Sequence, residues 1–120
     1  MNNVYIMSAN RSAIGGFGGT LKNHCPVDLG TLVAKEAIAR SGYEANEVEH
    51  AVFGNVIHTE PRDMYVSRVI ALQAGMDKAS AALTVNRLCG SGLQAIVSAS
   101  QILILGDASV AIAGGVEVMS

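Results

Sequence analysis

Ala82-Leu83-Thr84-Val85-Asn86-Arg87-Leu88-Cys89-Gly90-Ser91-Gly92-Leu93 opens the stretch that decides the fold. It begins as a short apolar, β-branched run and passes through a Cys-Gly-Ser-Gly turn. It continues as a helix-patterned segment over residues 93–105, stopped by Gly106-Asp107, and resumes as an apolar run over residues 109–113. Short β-branched runs bounded by turn residues are strands, and a glycine just past a helical pattern is a C-terminal stop. Two strands joined by a helix are parallel neighbours or near neighbours, because parallel strands need a long crossover. Reading outward, residues 48–57, centred on Ala51-Val52-Phe53, form a further strand. Residues 64–74, closed by Gly75, form a helix with Val66, Val69, Ile70 and Ala74 on its apolar face. Asp28 is read as the N-cap of a helix that carries Leu29, Leu32, Val33, Ala37 and Ile38 inward and stops at Gly42. Residues 4–9 form the first strand, and the loop over residues 10–27 holds Gly15-Gly16-Phe17-Gly18-Gly19, a flexible turn. The order β-α-β-α-β-α-β predicts an α/β layered domain: a mostly parallel sheet covered by helices.

Composition agrees. The 120 residues are 50% hydrophobic and 15% charged, enough apolar content to bury a core rather than stay disordered. There are 13 Gly and no Trp, so the interior is built from small and aliphatic side chains. Eight basic residues against 10 acidic ones leave a net charge of −2. That balance gives no cationic footprint for nucleic acid or for an anionic membrane surface. The most apolar stretch, residues 93–105, is interrupted by Gln94, Ser98, Ser100 and Gln101 and falls short of the roughly 20 residues a bilayer requires. It is read as a core helix. Met1-Asn2-Asn3-Val4 lacks a basic region, so no signal peptide is expected, and a soluble, cytoplasmic setting follows. Ser120 follows directly on an apolar strand, which predicts that the domain over residues 1–120 is incomplete.

Cys25 and Cys89 are far apart with no second thiol beside either, which excludes a disulfide scaffold and a paired-cysteine zinc or redox site. His24, His50 and His58 lack metal-ligand spacing, and no metal is expected. Cys89 holds the informative place. Ligands of parallel α/β sheets bind outside the carboxyl ends of the strands, where helix N-termini also point. A thiol there gains thiolate character from the free N–H groups of the first helical turn. Gly90 and Gly92 leave room beside the sulfur for a substrate carbonyl, and the same N–H groups suit an oxyanion. This is the anatomy of a covalent acyl-transfer nucleophile, set against the alternative of a small cysteine packed in a turn. Cys25, in a polar loop between His24 and Pro26, lacks the strand-to-helix setting. A rival pattern uses the same turn: Gly90-Ser91-Gly92-Leu93-Gln94-Ala95 fits a dinucleotide fingerprint, with Glu117 as its ribose-binding acid. Its place after the third strand and the overlong spacing to Glu117 weigh against it.

Asn86-Arg87-Leu88-Cys89-Gly90-Ser91-Gly92-Leu93-Gln94-Ala95-Ile96 closely resembles the nucleophile signature of thiolases. Arg11-Ser12-Ala13-Ile14-Gly15 with Phe17-Gly18-Gly19 resembles the family's N-terminal turn, and Phe53-Gly54-Asn55-Val56 its second strand. Gly114-Gly115-Val116-Glu117-Val118-Met119-Ser120 resembles its G-G-x-E-x-M-S segment. Thr59-Glu60-Pro61-Arg62-Asp63-Met64-Tyr65 is most similar to bacterial β-ketothiolases of the acetyl-CoA acetyltransferase group. The resemblance implies a thiolase-like layered α/β/α fold, truncated here, and an acyl-CoA acyltransferase of fatty acid metabolism with Cys89 as the catalytic residue. The substrates would be CoA thioesters, with no cofactor, and the full-length protein a homodimer or homotetramer. A ketoacyl-synthase-type condensing enzyme of the same superfamily is the nearest alternative. Thiolases also use a His from a later G-H-P segment and a second Cys from a later C-x-G segment. Neither motif occurs in these 120 residues, so the isolated chain is expected to show little or no turnover. Glu117 matches a family position and is read as structural.

Overall fold

His50–Gly54 (β1) is the centre of the fold, with Ala51, Val52 and Phe53 all buried. The computed structural model describes residues 3–120. In it Ala81–Val85 (β2) and Ala111–Gly115 (β3) flank β1 in the order β2-β1-β3, both parallel to it. The register sets Ala51 opposite Ala82 on one side and Ile112 on the other. Alternation along β1 divides the core. Ala51 and Phe53 face the cluster built with Pro26–Ser41 (α1) and Val66–Gln73 (α2). Val52 faces the other way, onto Ala95 and Ala99 of Ser91–Leu105 (α3). The result is the α/β/α layering. It follows from the strand order: β1 to β2 and β2 to β3 cross the sheet in opposite directions, so crossovers of one hand place α2 and α3 on opposite faces.

The strands begin and end slightly away from their expected places. β1 is shorter than residues 48–57 because the ladder stops at Gly54, where the chain turns out through Asn55. β3 starts two residues late, at Ala111, because that residue is the register partner of His50. The helix read as capped by Asp28 starts earlier. Pro26 occupies its first turn and Cys25 is the N-cap, extended at φ −97° and ψ 156° as a residue before proline tends to be. Asp28 sits inside the first turn, where a carboxylate suits the helix dipole. Gly42 and Gly106 end α1 and α3 in the left-handed conformation (φ 84° and 83°), as read. The helix expected over residues 64–74 opens as a 3₁₀ turn, Pro61–Tyr65, before α2 proper.

Two expectations hold only in part, and for one reason: small residues make the closest contacts. In α1 Leu29 and Ile38 are buried as expected, but the rest of the buried stripe is Val27, Gly30, Thr31 and Ala34, while Leu32 is 62% exposed. A Cβ on Gly30 would stand 2.5 Å from Cδ1 of Ile70, so α1 and α2 approach too closely for a larger side chain. In α3, Ala95 and Ala99 meet the sheet, whereas Leu93 and Leu105 are 70% and 76% exposed. α3 is therefore a core helix on one side only, through Ala95 and Ala99 against Val52. The apolar window Leu88–Leu105 has mean hydropathy 1.6, yet its helical part has 15 residues. That is about 22 Å, short of a bilayer's hydrocarbon core of about 30 Å.

The strand expected over residues 4–9 does not form. These residues pair with no strand, and Tyr5, Ile6 and Met7 are exposed. They lie along α1, tied by Ser8 Oγ donating to Ala37 O at 2.7 Å and by Asn10 Nδ2 donating to Val33 O at 3.1 Å. An open cavity of about 1090 Å³ separates them from the outer edge of β3, with Tyr5, Val33, Leu103 and Ile112 among its lining. Without a ladder partner in reach, the β-branched run has nothing to satisfy its backbone as a strand.

Candidate active site

Between β2 and α3 the chain makes a tight turn whose polar groups can be accounted for one by one. Leu88 has φ 50°, the single non-glycine residue with positive φ among the described residues. Its N–H donates to Asn86 Oδ1 at 3.0 Å. Its carbonyl accepts from the Ser91 hydroxyl at 2.7 Å and from the Ser91 amide at 3.1 Å. The Arg87 N–H donates to Ser91 Oγ at 2.7 Å, and the Arg87 carbonyl accepts from the Gly90 amide at 3.1 Å. Cys89, inside this turn, is exposed, and neither its thiol nor its amide has a hydrogen-bond partner among the described residues. Its amide is thus left available at the start of α3, where the helix dipole adds to it. No side chain at Gly92 crowds the space beside the turn. The strained corner, the exposed sulfur and the free N–H together suit attack on a carbonyl with capture of its oxyanion.

The same end of the sheet is braced by residues after β1 and β3. Asn55, buried, donates through Nδ2 to Val116 O at 2.8 Å. In return the Glu117 carboxylate accepts from the Val56 N–H at 3.1 Å and the Ile57 N–H at 2.7 Å. Glu117 is therefore a clamp between two loops, as read. The dinucleotide alternative needs that carboxylate for a ribose, and here two backbone amides engage it. Ser120 Oγ accepts from the Gly18 amide at 2.8 Å, so the Gly15–Gly19 turn is brought to the segment after β3.

Cys25 reaches the same end of the sheet at the start of α1 but in different chemistry. Its thiol donates to Asp28 Oδ2 at 3.0 Å, and Arg62, itself paired with Glu60 at 3.0 Å, approaches the sulfur to 3.8 Å. Burial first, then the hydrogen bond to Asp28, pushes the Cys25 thiol above the ordinary range. That environment suppresses the thiolate. His50 begins β1, and a strand of five residues, about 13 Å, separates it from the end where Cys89 lies. His24 and His58 make no hydrogen bond to Cys89. Among the described residues no three His, Cys, Asp or Glu side chains gather as a metal site.

Two participants were missed from sequence. Ser91 enters the sequence reading only as a member of the Gly90-Ser91-Gly92 turn, with no role of its own, yet its hydroxyl closes the Leu88 corner. Gly54 reads from sequence as a residue within the strand over 48–57, yet a Cβ on it would stand 2.7 Å from Ser91 Cβ, so β1 and the start of α3 touch at that point. A serine in the first turn of a helix, able to bond back to the preceding loop, is the signal that could have found the first. Gly54 had no such signal.

Residues 4–120 match the model of the thiolase N-terminal domain. The chain is 59% identical over 117 residues to the beta-ketothiolase BktB of Cupriavidus necator, covering 98% of this chain and 30% of that protein. It is 36% identical over 120 residues to the mitochondrial 3-ketoacyl-CoA thiolase of Homo sapiens, covering 100% and 30%. Among solved structures, the Bacillus anthracis acetyl-CoA acetyltransferase superposes with a TM-score of 0.86 at 42% identity, covering 92% of this chain and 28% of that one. Human mitochondrial 3-ketoacyl-CoA thiolase gives 0.84 at 35%, covering 87% and 26%. The chain thus spans about 30% of the length of the relatives it matches. With its layered fold, its turn at Cys89 and this match to the thiolase N-terminal domain over residues 4–120, the chain belongs to the thiolase family.

Proposed function

We propose that this chain is the incomplete N-terminal part of an acyl-CoA C-acyltransferase, with Cys89 as the nucleophile that carries the acyl group. The Cys89 thiolate attacks the thioester carbonyl of acetyl-CoA. The oxygen takes up the negative charge, facing the free Cys89 N–H, and collapse expels CoA thiolate and leaves an acetyl group on Sγ. A second acetyl-CoA, deprotonated at its α-carbon, then attacks the acyl-cysteine. A carbon–carbon bond forms and the Cys89 thiolate is released. Run backwards, the same steps cleave a 3-ketoacyl-CoA. The observation that carries this reading is the exposed Cys89 on a strained turn at the start of α3, with thiol and amide both unpartnered among the described residues.

The base and the second acid of the cycle come from segments outside these 120 residues. CoA thioesters are the substrates, and no further cofactor takes part. The full-length enzyme works as a cytoplasmic homodimer or homotetramer. Two measurements test the proposal. Full-length protein incubated with radiolabelled acetyl-CoA and quenched should carry the label on the Cys89 peptide; label on any other residue overturns the assignment. The 120-residue chain alone should give acetoacetyl-CoA thiolysis at background level, and robust turnover would overturn the division of the catalytic groups.

A further inference from the structure

We propose that Ser91 is a positioning residue for Cys89, acting through the left-handed corner at Leu88; the inference rests on the nucleophile reading above. A hydroxyl has one proton and two lone pairs. Ser91 commits its proton to the Leu88 carbonyl and a lone pair to the Arg87 amide, both at 2.7 Å. Being so engaged, it takes no part in proton transfer. Its two bonds close a ring around Cys89 and hold the backbone on both sides of the corner.

That hold matters because the backbone supports Leu88 at φ 50° through two longer bonds, the Gly90 amide to the Arg87 carbonyl and the Ser91 amide to the Leu88 carbonyl, both at 3.1 Å. A leucine avoids the left-handed region. The Leu88 side chain is 69% exposed, so packing does not force it there. The remaining side-chain support is the single bond from the Leu88 N–H to Asn86, an exposed residue.

Ser91 is itself anchored. It is 5% exposed, and its Cβ lies where any side chain at Gly54 would collide, within 2.7 Å. On the neighbouring residue, Gly92 Cα sits 3.4 Å from where a Cβ on Gly115 would stand. The first turn of α3 therefore rests directly on the ends of β1 and β3, the two strands whose following loops Asn55 and Glu117 clamp together. The chain of contacts runs from the sheet through Ser91 to the Leu88 corner, and so fixes the direction in which the Cys89 side chain and amide leave the backbone. Every amide at 87, 88, 90 and 91 is spoken for, and the amide at 89 is left free.

The test is a coupling experiment in the full-length protein. The rate at which iodoacetamide alkylates Cys89 is followed across pH by peptide mass spectrometry, with thermal unfolding monitored beside it. Ser91→Ala should slow alkylation and acetyl transfer about tenfold, in line with the sensitivity of reactions to small misplacements. Ser91→Thr, which keeps the oxygen, should recover most of that loss. Glycine adopts the left-handed corner without strain, so on a Leu88→Gly background the Ser91→Ala loss should shrink to about twofold. A merely structural serine would not show that coupling. If Ser91→Ala does not fold, Asn86→Ala reads the same corner from its exposed side and should slow alkylation about threefold, with the loss again smaller on Leu88→Gly. A Ser91→Ala enzyme that alkylates as the parent does, or a loss that Leu88→Gly leaves untouched, overturns the proposal. Failure of the nucleophile reading looks different: the parent enzyme would then not acetylate Cys89, whatever residue stands at 91.

Discussion

Both cysteines of this chain stand where a helix begins at the carboxyl end of the sheet, and yet their surroundings point in opposite directions. Cys25 caps α1 through a proline, gives its thiol to Asp28 and has Arg62 nearby. Cys89 precedes α3 on a strained corner, exposed, with thiol and amide both unpartnered among the described residues. A helix N-terminus alone therefore does not make a nucleophile. What separates the two is whether neighbouring side chains consume the thiol's hydrogen-bonding capacity or leave it for a substrate.

The largest effect that would break this comparison comes from swapping the sulfur at each site. In the full-length enzyme Cys89→Ser should lower acetyl transfer by about three orders of magnitude or more, the scale of losing a covalent nucleophile. Cys25→Ser should stay within about twofold, since Ser keeps the hydrogen bond to Asp28. Steady-state thiolysis of acetoacetyl-CoA measures both. Comparable losses at the two positions would erase the distinction.

A smaller effect separates the seats of the two helices. Gly54 and Gly30 are both close-approach glycines, but they meet different obstacles. A Cβ on Gly54 runs into Ser91 Cβ at 2.7 Å and into its backbone carbon at 2.9 Å. A Cβ on Gly30 meets the tip of the Ile70 side chain at 2.5 Å. Backbone cannot swing aside as a side-chain tip does, so Gly54→Ala should cost about 1–3 kcal/mol in chemical denaturation. Gly30→Ala lies within α1 and regains up to about 1 kcal/mol of helix propensity, which offsets the push on Ile70. Its net cost should be the smaller of the two. Equal costs would mean that α3 is not rigidly seated on β1.

The same contrast explains what was legible beforehand. The order of elements, the parallel sheet and the place of Cys89 come from runs of apolar residues and from glycines at 42, 75 and 106, all local signals in the chain. Helix faces were harder. Leu32, Leu93 and Leu105 look like core residues by type, but Gly30, Ala95 and Ala99 make the contacts, because the layers lie too close for leucine. Whether residues 4–9 form a strand depends on a partner edge, which is a tertiary matter. The support of Cys89 by Ser91 and Gly54 was hidden for the same reason: Gly54 is far away in sequence and carries no side chain to announce its contact.

The smallest effect concerns the thiol at Cys25. Burial and the bond to Asp28 favour its protonated form in the folded chain, so its titration lies above the ordinary thiol range of about 8.5. A group raised on folding contributes its stability below the unfolded value and loses it as pH climbs through the folded one. The parent chain should therefore lose stability as pH rises above about 8.5 more steeply than Asp28→Asn, whose amide oxygen still accepts the thiol but carries no charge. In the same variant, alkylation of Cys25 near neutral pH should rise a few-fold while that of Cys89 stays as it was. Burial remains, so Cys25 does not become as reactive as Cys89. If removing the Asp28 charge alone brought the two thiols level, electrostatics would account for the whole difference between the sites, and the turn at Leu88 would contribute nothing to it.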